Sequence, residues 1–311
     1  MEFIRNLSQL RPRHQGCVAT IGNFDGLHLG HQAVLQQLIA KANQLQLPTL
    51  VTIFEPQPQE FFAPDTAPAR LTRRREKLIA MRRYGVDRVL CLRFDAQFAA
   101  LSAEAFIQQV LVKGLGVRHL VVGDDFRFGQ GRSGNFAALQ QAGKHYGFAV
   151  ESQHTFLMGG ERVSSTRVRQ ALMQGDMQGA NELLGRPFTL WGRVRYGQQR
   201  GRSIGFPTAN IFLHRPVSPL NGVFAVYLHG FTKKPLAGVA NLGTRPTVDG
   251  SQLLLEVHLF GFKETIYGHS VEVEFVRKLR DEQRFASIEA LKQQIDIDVR
   301  LAKAVLIKNE E

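Results

Sequence analysis

The spacing of apolar positions along the chain changes once, close to Gly185. Before that point, short apolar runs alternate with stretches of helical period. CVATIG (17–22) reads as a buried strand ending on glycine, and from His31 onward Val34, Leu35, Leu38, Ile39, Ala42 and Leu45 recur at helical spacing. PTLVTIF (48–54), VDRVLCLRF (86–94), RHLVVG (118–123) and GFAVES (147–152) supply four further strands. Between them the pattern predicts one helix with Thr72 as N-cap and Gly85 just past its end, one capped by Ser102, and one from Phe136 to Tyr146. Two short helices, Ser165–Gln174 and Asp176–Leu184, close this half. Strands separated by helices need right-handed crossovers, so the expectation is an α/β domain with a mostly parallel sheet covered on both faces. In such sheets the ligand crevice lies beyond the carboxyl ends of the strands.

After Gly185-Arg186-Pro187 the segments become short and alternating: FTLWGRVRYG, GVFAVYLHG, PLAGVANLG, LLLEVHLFG and SVEVEFVRK, broken by glycine, proline and asparagine turns. That pattern predicts a compact antiparallel β-barrel. A closing amphipathic helix starts near Ser287 and carries Leu291, Ile295, Val299, Ala302 and Val305 on one face. The expected domains are therefore 1–184 and 185–311.

Composition narrows the class. Of 311 residues 44% are hydrophobic and 21% charged, the balance of a globular protein with room for two domains. Cys17 and Cys91 lie inside apolar runs and read as buried thiols of a reducing compartment, without the spacing of a disulfide framework or zinc site. The first residues lack the apolar run of a signal peptide and no segment is apolar enough to span a bilayer, so a cytoplasmic location without membrane partners is expected. A net charge of +12 suggests polyanionic ligands, either nucleic acid or phosphorylated small molecules. The basic residues are dispersed rather than clustered with aromatics, which argues against a nucleic-acid partner. The densest run, Arg73-Arg74-Arg75 with Arg82-Arg83, reads as a solvated helix face.

Two segments of the first half carry chemistry. GNFDGLHLGH (22–31) follows the first strand and runs into a helix whose unpaired N–H groups favour anions. His28 and His31, three apart at that helix start, can both face a phosphate; the alternative is a glycine turn with two surface histidines. RVSSTRVR (162–169) sets hydroxyls and arginines at another helix start, which suits either a phosphate cradle or an ordinary cap. In the second half, GQQRGRSIGFPTAN (197–210) puts three glycines and two arginines in a loop, then Thr208 and Asn210 on one face of an extended segment. Neutral oxygens so placed suit Mg²⁺ shared with phosphate; the alternative is a proline-containing strand entry with polar outward residues. Glu256 lies among aliphatic residues, as a general base or as an outward-facing strand residue.

These motifs resemble a known family. GNFDGLHLGH and VSSTRVRQAL are similar to the paired motifs of nucleotidyltransferases. FEPQP (54–58), LTRRREK (71–77) and VGDDFRFGQGRSG (122–134) resemble the FMN adenylyltransferase domain of bacterial bifunctional riboflavin kinase/FAD synthetases. GRSIGFPTAN, GVFAV, GVANLGTRPT, LEVHLF, IYG and KLRDEQRF resemble riboflavin kinase. The resemblance implies a Rossmann-like domain followed by a kinase barrel. It also implies riboflavin, FMN and ATP as substrates, and Mg²⁺. In the first domain it implies ATP at Gly22, Phe24, Asp25, Gly26, His28, His31, Arg162, Ser165, Thr166 and Arg169, and flavin at Asp125, Phe126 and Phe128. In the second it implies ATP at Gly197, Gly201, Gly205, Pro207, Thr208 and Asn210, with metal on the last two. Glu256 becomes the base for the ribityl hydroxyl, and Arg280 and Glu282 flavin-binding residues. Gly261 stands where relatives commonly carry aspartate, a departure that touches local loop contacts.

Overall fold

The structure is a computed structural model that describes residues 1–196, 204–215, 217–247, 250–262 and 264–307. The chain divides into two compact units, one of residues 1–68 and 72–164, the other of residues 69–71 and 165–311.

The first unit holds a six-stranded parallel sheet. Its strands are β1 (Glu2–Arg5), β2 (Cys17–Ile21), β3 (Thr49–Glu55), β4 (Arg88–Arg93), β5 (Val117–Gly123) and β6 (Ala149–Gln153), in the order β1-β4-β3-β2-β5-β6. All five residues of β2 are buried, as a central strand covered on both faces requires. The helices are α1 (Leu29–Leu45), α2 (Pro58–Phe62), α3 (Arg74–Arg83), α4 (Ala96–Ala99), α5 (Ala103–Phe106) and α6 (Phe136–Tyr146); a π-helical stretch, Ile107–Gly114, extends α5. A small ribbon follows, β7 (Leu157–Met158) with β8 (Glu161–Arg162). One strand escapes the sequence pattern: β1 pairs with β4, Phe3 beside Val89. EFIR is too short and too charged to announce itself, and its partner strand makes it a strand.

Strand order runs outward from β2 through β3 and β4, then jumps back to β5 on the other side. That reversal lies between β2 and β5, the place where open parallel sheets leave a crevice at their carboxyl ends. The turn after β2 begins at Gly22, and the turn after β5 carries Asp124 and Asp125.

The second unit begins with α7 (Ser165–Gln174) and α8 (Met177–Leu184), then closes a six-stranded antiparallel barrel. Its strands are β9 (Thr189–Arg195), β10 (Ala209–Phe212), β11 (Gly222–His229), β12 (Leu236–Thr247), β13 (Gly250–Leu259) and β14 (Ser270–Arg280). Ile211, Phe224, Ala240, Leu242, Leu255, Val257 and Phe275 are fully buried and fill the interior. The final helix, α9 (Ile288–Ile307), covers part of the outer face, packing Ala302 and Leu306 on Val223, Ala225 and Val239. Asp298, itself buried, binds the Arg280 guanidinium at 2.7–3.1 Å and ties α9 to β14. Helix α8 belongs with the barrel: the Asn181 side chain accepts from the Phe188 N–H at 2.8 Å.

Candidate functional sites

In the first unit the turn after β2 is bound down before it reaches α1. The Asp25 carboxylate, 2% exposed, accepts from the Thr72 N–H at 2.9 Å and hydroxyl at 3.1 Å, and Thr72 Oγ accepts from the Gly26 N–H at 2.9 Å. Thr72 was expected to cap α3; Arg73 holds that place, and Thr72 serves the turn instead. The predicted Gly85 does follow the helix, in the left-handed region at φ 83°. Gly26 takes φ 85°, a conformation a glycine adopts without steric cost.

His28 caps α1. Its Nδ1 accepts from the His31 N–H at 3.3 Å, so in the neutral ring the proton sits on Nε2. The two imidazoles stack with centroids 3.7 Å apart. Burial holds His31 well below the usual imidazole range, helped by the charges of His28, Lys77 and Arg162. His31 is thus a neutral donor at pH 7, and its buried Nδ1 has no hydrogen-bond partner among the described residues. A side chain at Gly30 would meet the His28 ring at 3.2 Å and the Val163 carbonyl at 3.3 Å, so the helix start, the imidazole and the strand end leave no spare room.

Asp125 forms an ion pair with Arg162 at 2.7 Å, and the Arg162 guanidinium holds its carboxyl below the usual carboxylate range. The residues expected to meet flavin and ATP are therefore joined to each other. Phe126 stacks on Phe128 at 5.6 Å, and Phe128 is 7% exposed, against Phe106 and Gly134; its ring belongs to the core more than to an open surface. The structure adds aromatics that the motifs did not single out. Phe54, Phe61, Phe62, Phe94 and Phe98 form a chain of ring contacts at and beyond the carboxyl ends of β3 and β4, with Phe62 67% exposed. Ser165 and Thr166 open α7 in the second unit, where the Arg169 Nε donates to the Ala69 carbonyl at 2.6 Å.

In the barrel, Asn210 of β10 stands opposite Glu256 of β13, which stands opposite Asn241 of β12. Directly opposed residues share a face, and their neighbours Ile211, Leu255 and Leu242 point inward, so this polar row lies on the outer wall. Glu256 is partly exposed, and the difficulty of burying its charge does not arise. His258, two residues on, donates from Nδ1 to the Pro207 carbonyl at 2.9 Å and its ring meets Phe206 edge-on, which steadies the approach to Thr208. Asn241 donates to Glu282 at 3.3 Å, and the Glu282 carboxylate lies over Gly243, where any side chain would displace it. Arg280, by contrast, spends its fork on Asp298. Asn241 and His258 were legible only as outward strand positions; strand register reveals their company. Gly205 precedes this segment at φ 91°, and Gly197 and Gly201 fall outside the described residues. Gly261 takes φ 64°, a conformation that favours glycine over aspartate.

Cys17 and Cys91 are buried and free, and burial pushes the Cys17 thiol up to about 12. Among the described residues no helix is long and apolar enough to cross a membrane, and no three or more histidine, cysteine or acidic residues gather as a metal site.

Residues 10–167 match the FAD synthetase family and residues 184–306 the riboflavin kinase family. The chain is 55% identical over 304 residues to the bifunctional riboflavin kinase/FMN adenylyltransferase of Escherichia coli strain K12, covering 97% of both. It is 51% identical to that of Haemophilus influenzae, covering 98% of this chain and 99% of the relative. A solved structure described as a macrolide-efflux protein from Streptococcus pneumoniae is 30% identical with TM-score 0.81, covering 96% of this chain and 97% of that one.

Proposed function

Because the chain belongs to the family of bifunctional riboflavin kinase/FMN adenylyltransferases, we propose that its two reactions run at the two sites just described, one in each unit. The enzyme phosphorylates riboflavin to FMN with ATP, then transfers AMP from ATP to FMN, giving FAD and pyrophosphate. We place the functional division at 184/185, supported by family matches that end at 167 and resume at 184.

In adenylyl transfer an FMN phosphate oxygen attacks the α-phosphorus of ATP, and the bond to the β-phosphate breaks. His28 and His31 donate hydrogen bonds to the oxygens where charge accumulates, His31 as a neutral ring. The α1 N-terminus adds its oriented N–H groups. Asp25 acts at one remove, holding the turn through Thr72. Arg162, fixed by its ion pair with Asp125, adds a guanidinium to the phosphate site; the family resemblance assigns Ser165, Thr166 and Arg169 to ATP as well. Phe126 and the ring chain ending at Phe62 offer apolar surface for the isoalloxazine, with Asp125 set by Arg162.

In the kinase reaction Glu256 takes the proton of the terminal ribityl hydroxyl as its oxygen attacks the γ-phosphorus. Thr208 and Asn210 would hold Mg²⁺, which neutralises phosphate charge when bound; their neutral hard oxygens fit an ion that takes few protein ligands. Asn241 and Glu282 border the same row and orient the flavin chain. The observation that carries the two-site reading is the stacked histidine pair in one unit and the Asn210–Glu256–Asn241 row in the other, each built on its own fold. Incubating the purified protein with riboflavin, ATP and Mg²⁺ and separating the flavins by chromatography tests it. FMN must appear first and FAD after, and FMN supplied alone with ATP must also yield FAD.

A further inference from the structure

Helix α3 opens on charged residues, yet two of them are buried: Glu76 at 7% exposure and Lys77 at 2%. A buried ionised group is costly unless it is bonded and serves a purpose. Glu76 is accounted for, since it accepts from the Arg73 N–H and Nε, both at 2.7 Å. Lys77 reaches the other way: its Nζ donates to the carbonyl of Asn23, in the turn that leads to His28. The next residue, Phe24, has φ 48° and Leu27 has φ 45°, both non-glycine, both in the left-handed region and both buried. Such backbone persists only where its surroundings hold it. Phe24 in turn lies against His31, ring centroids 5.0 Å apart. The segment 72–77 thus grips the turn twice, Thr72 at the Asp25 carboxylate and Lys77 at the Asn23 carbonyl.

We propose that Lys77 is a positioning residue for adenylyl transfer: its buried ammonium holds the strained turn from Asn23 to Leu27 and so sets His28 and His31 against the phosphates. The same charge has a second effect. The charged or titratable groups acting on His31 are His28 at the α1 cap, Lys77 of α3 and Arg162 of β8, and all three oppose its protonation. Removing the lysine cation lets His31 take a proton at higher pH. The inference rests on His31 facing phosphate, so its test carries a His31→Ala arm.

The experiment uses the full chain with Lys77→Met and Lys77→Arg. It records FAD formation from FMN and Mg²⁺-ATP from about pH 5 to pH 9, FMN formation from riboflavin, and a thermal melt. In Lys77→Met, kcat/KM for FAD should fall roughly 10²-fold, the scale of a small misplacement of reacting groups. Its acid limb should move to higher pH, and riboflavin phosphorylation should be unchanged. Lys77→Arg should bring the acid limb back, because it restores the charge. Wild-type FAD kinetics in Lys77→Met overturn the proposal. So does a loss with an unmoved acid limb that arginine does not rescue, which marks a merely structural residue. A His31→Ala enzyme that makes FAD at the wild-type rate overturns the reading of His31 itself, and the proposal with it.

Discussion

Asn210 and Glu256 face each other across neighbouring strands of the barrel, so the amide expected to hold the metal and the carboxylate expected to take the proton are cross-strand partners. Partners in register are separable by mutation, because each keeps its own strand. Glu256→Gln preserves shape and hydrogen bonding while removing the proton acceptor. Riboflavin phosphorylation should drop about 10²–10⁴-fold, the usual worth of a general base. Asn210→Ala should instead raise the Mg²⁺-ATP requirement. Both variants should still convert supplied FMN to FAD. Flavin chromatography reads all three outcomes, and a Glu256→Gln enzyme phosphorylating at the wild-type rate would remove the base.

For the histidine pair, loss of each donor should cost roughly 10²-fold or more in FAD formation. His28→Ala removes the α1 cap as well, typically about 1 kcal/mol, so its melt should shift while that of His31→Ala shifts less. Riboflavin kinase activity should survive in both. Steady-state assays beside melts separate the two effects.

Stability should fall on the acid side. Burial lowers His31 and also His119, 4% exposed, although Glu151 opposes the shift at His119. A folded value below the unfolded one, about 6.5, means the unfolded chain binds the proton first. Stability is then whole above that pH and is lost as pH falls through the window beneath it. Melts taken at successive pH values should show this slope, shallower in His119→Gln; an unchanged slope would assign the loss to other groups.

Helix α8 decides where a kinase fragment can begin. The α8 residues Ala180, Leu183 and Leu184 are buried, and Asn181 accepts from Phe188. A fragment of residues 165–311 should make FMN but no FAD, and melt well above one of residues 185–311. Losing one hydrogen bond and two buried leucines costs on the order of 4 kcal/mol. Equal melts for the two fragments would contradict the packing seen here.

The Arg280–Asp298 pair tests whether Arg280 meets flavin. Asp298→Ala leaves a largely buried guanidinium uncompensated and should destabilise the barrel by about 3–5 kcal/mol. If Arg280 only holds α9, Arg280→Met should lower the melt without raising the KM for riboflavin. A raised KM at an unchanged melt would return Arg280 to the flavin site.

Much was legible in the chain itself. The change of period at Gly185 separates a parallel sheet from a barrel because side chains must alternate on a half-covered strand and need not on one buried on both faces. The strand–glycine–helix order around His28, and the hydroxyl at Thr208 with the amide at Asn210, are local, so spacing alone locates them. What the chain could not reveal depends on partners distant in sequence. EFIR becomes a strand because β4 has an open edge, and Thr72 leaves its helix to bind Asp25, forty-seven residues away. Glu256 points outward beside Asn210 and Asn241 because of barrel register, which no single strand encodes. Lys77 looks like one more charge in a basic run until the fold buries it. Its meaning comes from a carbonyl fifty-four residues earlier, brought within reach only when α3 and the turn after β2 settle on the same sheet.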